Sequence, residues 1–92
     1  MSELTVESVP RRPAHLAWQQ IAGEAVVLDT EARVLRGLNA TGARVWDLID
    51  GTRSLGEIAA TLAAEWQRDT PPTLADVRTF VTALRDRGLV EV

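Results

Sequence analysis

The stretch Leu38-Asn39-Ala40-Thr41-Gly42-Ala43-Arg44-Val45-Trp46-Asp47-Leu48-Ile49-Asp50-Gly51 decides the fold of this 92-residue chain. At Asn39 the pattern of apolar residues changes from the alternation of a strand to the helical period of about 3.6, and Val45, Trp46, Leu48 and Ile49 fall on one stripe. The first turn of a helix has N–H groups without partners inside the helix, and the side chain of Asn39 or Thr41 can accept from them. Gly51 is expected to end the helix as a left-handed cap.

Towards the N-terminus two extended runs, His15 to Ala22 and Glu24 to Thr30, meet at Gly23, where a tight turn can take positive φ. A third run, Arg33 to Leu38, follows the polar break Thr30-Glu31, which completes a three-stranded antiparallel meander. Gly37 weakens a regular strand and marks an expected bulge. Residues 1–14 include Pro10, Arg11, Arg12 and Pro13 and show no periodicity, so they are expected to form a flexible lead-in to a domain spanning residues 15–92.

Towards the C-terminus, Ser54 and Glu57 have the spacing of a capping box. The helix they open buries Leu55, Ile58, Ala59, Leu62 and Trp66. Pro71 and Pro72 are expected to break the chain, and Thr73 to Asp76 to start a last helix that turns Leu74, Val77, Phe80, Val81 and Leu84 to the core and stops at Gly88. Leu89 to Val92 reads as a short terminal strand. The fold class is therefore α+β: a three-stranded antiparallel sheet packed on a three-helix winged helix-turn-helix unit.

Composition narrows the function. At 46% hydrophobic and 25% charged the chain is an ordinary globular domain, and without an apolar run of about 18 residues it has no membrane span, so a cytoplasmic location is expected. No cysteine is present, which excludes disulfides and thiolate metal sites. The net charge is −3, from ten arginines against thirteen acids, with no lysine. Neither half of the chain has the basic excess by which a duplex-binding domain displaces counterions, so no nucleic-acid partner is expected.

Candidate chemistry is sparse. Nucleophilic catalysis needs a thiol, or a hydroxyl beside a base, and the single histidine, His15, reads as an ordinary strand-end residue. Asp47 and Asp50 could share a helix face, yet two carboxylates without histidine make a poor transition-metal site. No catalytic residue, metal or cofactor is expected. Trp46 and Trp66 fall on apolar stripes and read as core anchors, while the face of Trp18 stays open. On the last helix Arg78 and Arg85 flank Val81 on one side, and Asp76, Ala83 and Arg87 flank Phe80 on the other.

The run from Gly23 to Leu89 resembles the PqqD family, which includes the peptide-chaperone component of pyrroloquinoline quinone biosynthesis and the wider group of RiPP recognition elements. The likeness rests on Gly23-Glu24-Ala25-Val26-Val27-Leu28-Asp29, on Leu38 to Gly51, on Arg53-Ser54-Leu55 with Glu57-Ile58, and on Leu84 with Arg87-Gly88-Leu89. The most specific part is Leu38-Asn39-x-Thr41-Gly42-Ala43-x-Val45-Trp46. The resemblance implies a non-catalytic module that binds the leader of a ribosomally made precursor peptide as an added β-strand and presents it to a radical SAM enzyme or another modifying enzyme.

It further implies a cleft between the third strand and the last helix, lined by Arg33, Val34, Leu35, Arg36 and Gly37 with Val77, Arg78, Val81 and Arg85. Strand side chains alternate, so Arg33 and Arg36 point to opposite faces unless a bulge at Gly37 resets the parity. A DNA-binding winged-helix regulator and a scaffold subunit of a maturase are the alternatives, and homodimerisation is open.

Overall fold

The computed structural model describes residues 3–92. Strands β1 (Leu16–Ile21), β2 (Glu24–Asp29) and β3 (Val34–Leu38) are followed by helices α1 (Ala40–Leu48), α2 (Leu55–Trp66) and α3 (Thr70–Asp86). The strands form one antiparallel sheet in the order β1-β2-β3, so β1 and β3 are both edges. α1 packs beneath β2 and β3, and α2 and α3 pack on each other on the far side of α1. The core they enclose is built on Trp46, Ile49, Leu55, Ile58, Leu62, Val77, Val81, Leu84 and Leu89, with Val27 reaching down from the sheet.

Asn39 is the N-cap of α1: its side-chain oxygen accepts from the Gly42 N–H at 2.9 Å. The capping box of α2 forms as the spacing predicts, with Glu57 N–H donating to Ser54 Oγ and Ser54 N–H to the Glu57 carboxylate. Trp46 is fully buried on α1, whereas Trp66, at the end of α2, is only partly covered. Trp18 faces the helices, with its ring edge-on to Trp46 at 6.2 Å and the Arg12 guanidinium 4.5 Å from its centroid.

Several expectations need correction. Residues 3–14 are not a loose lead-in: Leu4 and Pro10 are buried, and the segment runs across the start of α2. Leu55 N–H donates to Ser8 C=O and Gly56 N–H to Val6 C=O, so the first two donors of α2, which have no acceptor inside the helix, find one in this segment. Arg11 and Glu91 then exchange both backbone bonds at 2.9 Å in an antiparallel bridge. All these partners are remote in sequence, which is why no local period announced them. Met1 and Ser2, also assigned to the lead-in, lie outside the described residues. The terminal strand expected over Leu89 to Val92 is reduced to the Arg11–Glu91 bridge.

Pro71 and Pro72 do not break the chain; they sit in the first turn of α3, where a missing N–H costs nothing. α1 ends at Leu48 with Ile49 as an extended cap, and Gly51, at φ 82°, serves the turn after it. That turn is organised by Asp50, whose carboxylate accepts from Thr52 N–H and Arg53 N–H and pairs with the Arg53 guanidinium at 2.7 Å. Gly37 makes no bulge: it lies opposite Val26 in an unbroken β2–β3 register. Irregularity falls instead on Arg33, which closes the β2–β3 turn with φ 57° and lies outside the strand.

Candidate functional site

The regular register settles the parity of β3. Ala22 and Gly23, at φ 53° and 82°, form a two-residue turn with both central residues left-handed, and in such a turn the flanking pair Ile21–Glu24 is hydrogen-bonded. Bonded and non-bonded pairs alternate along antiparallel strands. Glu24, Val26 and Leu28 therefore bond to β1, and Ala25, Val27 and Asp29 bond to their β3 partners Leu38, Arg36 and Val34. The peptide groups of Leu35 and Gly37 are left pointing away from the sheet. This is the open edge.

Side chains follow the same alternation. Val34, Arg36 and Leu38 are half-buried on the side facing the helices, while Leu35 is 68% exposed on the outer face. An exposed leucine on an unprotected edge strand invites another strand to pair there. The outer face is also apolar beyond Leu35: Leu28 lies directly across from it, Ala17 beyond that, and Ile21 at the β1 end is 55% exposed.

Just past the C-terminal end of β3, starting at Asn39, lies a cleft of about 310 Å³. Asn39, Thr41, Gly42 and Val45 form one wall, and Asp76, Val77 and Phe80 of α3 form the other; Trp66 and Arg68 close it. Phe80 lies against α1 because residue 42 is glycine: a Cβ there would stand 3.0 Å from the ring. Arg68 and Asp76 make an ion pair at 3.1 Å on the rim.

The nine residues of the expected cleft are not assembled in one place. Val34, Leu35, Arg36 and Gly37 are on β3, two on each face, and Arg33 is in the preceding turn. Val77 and Val81 are 2% and 0% exposed and belong to the core, Val77 reaching the cleft floor. Arg78 lies with Val6, Pro71, Leu74 and Ala75 on the flank of α3 that meets the N-terminal segment. Arg85 is half-buried, about two turns further along the same flank, and adjoins Asp86. The flank of α3 that meets the cleft is that of Asp76 and Phe80. Arg78 differs from Phe80 because the N-terminal segment already occupies its side, a long-range fact that a helical wheel does not contain.

Titration adds little chemistry. Hydrogen bonds from the Ala32 backbone, above all, and from Glu31 hold Asp29 below the ordinary aspartate range, with His15 and Arg36 adding attraction. The Thr52 backbone N–H, chiefly, pushes Asp50 down to about 2. Both stay ionised at neutral pH. Among the described residues no three His, Cys, Asp or Glu side chains are grouped to hold a metal ion, and no helix is long and apolar enough to cross a membrane.

Comparison with known proteins places the chain in a family. Residues 24–90 match the family model of coenzyme PQQ synthesis protein D, PqqD. The structure of TbiB1 in complex with the TbiA(beta) leader peptide is 30% identical over 88% of this chain and 94% of that one, with a TM-score of 0.81. The solution structure of the PqqD truncation of Methylobacterium extorquens PqqCD, described as a functional, stand-alone RiPP recognition element, is 22% identical, covering 97% of this chain and 95% of its own, at a TM-score of 0.81. Lasso peptide synthetase B1 complexed with the leader peptide is 21% identical, covering 92% of this chain and 100% of its own, again at 0.81. At these lower identities the last two speak for the fold. No curated protein matches the sequence.

Proposed function

The chain belongs to the PqqD family, and from that premise we propose that it is a binding module without chemistry of its own, which takes the leader of a ribosomally made precursor peptide onto the open edge of β3 and holds it for a separate modifying enzyme. The observation that carries this reading is the edge itself: the outward peptide groups of Leu35 and Gly37, with a cleft walled by α1 and α3 starting at Asn39 just past the strand. An extended peptide satisfies those groups as a fourth strand, and side-chain pockets beside the ladder confer selectivity. That TbiB1, at 30% identity, is in complex with a leader peptide supports the same use of this fold. A radical SAM enzyme is one modifying partner compatible with the family.

The reading moves the peptide site from the residues first expected on α3. Leu35, Arg36 and Gly37 remain; Asn39, Asp76 and Phe80 replace Arg78, Val81 and Arg85, which lie in the core or on the flank nearer the N-terminal segment.

Proline tests the ladder directly because it removes one N–H. At Leu35 that N–H points outward, so Leu35→Pro should fold with little change in melting temperature and lose binding of a leader peptide encoded beside the gene. At Arg36 the N–H bonds to β2, so Arg36→Pro should lower the melting temperature sharply. A folded Leu35→Pro protein that binds the leader as tightly as the parent, by isothermal titration, would rule out strand addition at β3.

A further inference from the structure

The open edge is not symmetrical end to end. Just past its C-terminal end, from Asn39 on, lies the cleft lined by Val45, Trp66, Val77 and Phe80. Further from the cleft lie Arg36, at the middle of β3 and half-buried on the helix-facing side, and Arg33, exposed in the turn before the strand. Among the described residues Arg36 makes no ion pair, and Asp29 on the neighbouring strand is the carboxylate that attracts it. One end of the site wants an apolar side chain and the other an anion.

Resting on the strand-addition reading above, we infer that the site selects a peptide by order as well as by composition: a large apolar residue first, then an acidic residue an even number of positions later. The direction follows from the sheet. Every pair in it is antiparallel, and antiparallel ladders are the more stable per residue, so an added strand runs opposite to β3 and its N-terminal part meets the cleft. The parity follows from the pleat. Peptide residues opposite Val34, Arg36 and Leu38 face the helices, and those opposite Leu35 and Gly37 face outward.

A side chain entering the cleft therefore comes from the position opposite Leu38 or about two residues earlier, and one reaching Arg36 comes from opposite Arg36 or Val34. These registers place the acid about two to six residues after the apolar anchor, centred on about four. Odd spacings would put one of the two on the wrong face.

Selection of a displayed random library of about 12-residue peptides, a length that covers β3 with a margin at each end, against the purified protein reads out both order and spacing. The expected consensus is a large apolar residue followed at even spacing by Asp or Glu. Repeating the selection on Arg36→Glu, after checking its melting temperature, should replace the acid by Lys or Arg and keep the anchor; if that variant does not fold, Arg36→Gln should erase the acidic preference alone. An acid preceding the anchor, an odd spacing, or a consensus unchanged in Arg36→Glu would overturn this inference while leaving strand addition intact. Enriched peptides that bind Leu35→Pro as well as the parent would overturn strand addition itself, as would a selection that enriches nothing.

Discussion

Two stretches of backbone in this protein face the same physical problem and solve it differently. At the start of α2 the N–H groups of Leu55 and Gly56 point out of the helix, and the chain brings its own N-terminal segment to accept from them. At the edge of β3 the peptide groups of Leu35 and Gly37 also point outward, and among the described residues no further strand pairs with them. Buried peptide groups need partners, so a segment docks where a surface is to be sealed. On the reading proposed above, the open edge of β3 is where a guest strand pairs.

Trp46 is the bulkiest fully buried side chain of the core that both regions share, and Trp46→Ala removes this aromatic at a cost of about 3–5 kcal/mol, a large part of the roughly 5–15 that holds a small domain. Chemical denaturation should show an unfolded or barely stable protein. Trp18→Ala, by contrast, loses a half-exposed ring and its contact with Arg12, for about 1–2 kcal/mol. Equal losses would mean that the sheet depends on Trp18 more than its exposure indicates.

Sealing on the N-terminal side has its own weak point at Gly56. A Cβ there would stand 3.0 Å from Val6 Cγ2 and 3.2 Å from Val6 C=O, so Gly56→Ala must push the segment away. The expected cost is about 1–3 kcal/mol, with faster amide exchange at Leu55 and residue 56 and no change in peptide affinity. Loss of affinity would couple the two regions.

Arg78→Glu tests which flank of α3 a peptide meets. Because Arg78 lies on the Val6 side of α3, charge reversal should leave peptide binding within about twofold of the parent, a difference of roughly 0.4 kcal/mol. A drop of tenfold would move the cleft back to the flank that the sequence first suggested.

The smallest effect is acid dependence. Asp50, held at about 2 against an ordinary 3.8 mainly by the Thr52 backbone N–H, contributes stability that is fully present above 3.8 and fades as pH falls through about 2. Melting curves of the parent and of Asp50→Asn should converge between pH 4 and pH 2. A difference that persists at pH 2 would show that the carboxylate charge is not what organises the turn.

Much of this was legible in the chain alone, because it depends on neighbours in sequence. The Asn39 cap, the Ser54–Glu57 box, the Gly23 turn and the stripe through Trp46 each arise within a few residues, and together they specify three strands followed by three helices. Tertiary structure decided what depends on distant partners. The fate of residues 3–14 rests on hydrogen bonds to residues 51, 55, 56 and 91. The flank of α3 left for a ligand is whichever that segment does not occupy. The outward set of β3 peptide groups is fixed by counting across β2 from the Ala22-Gly23 turn, since a one-residue slip or bulge would exchange the two sets. Local patterns fix which elements form, because their energetics are local; a binding edge is a remainder, defined only after every other surface has found its partner.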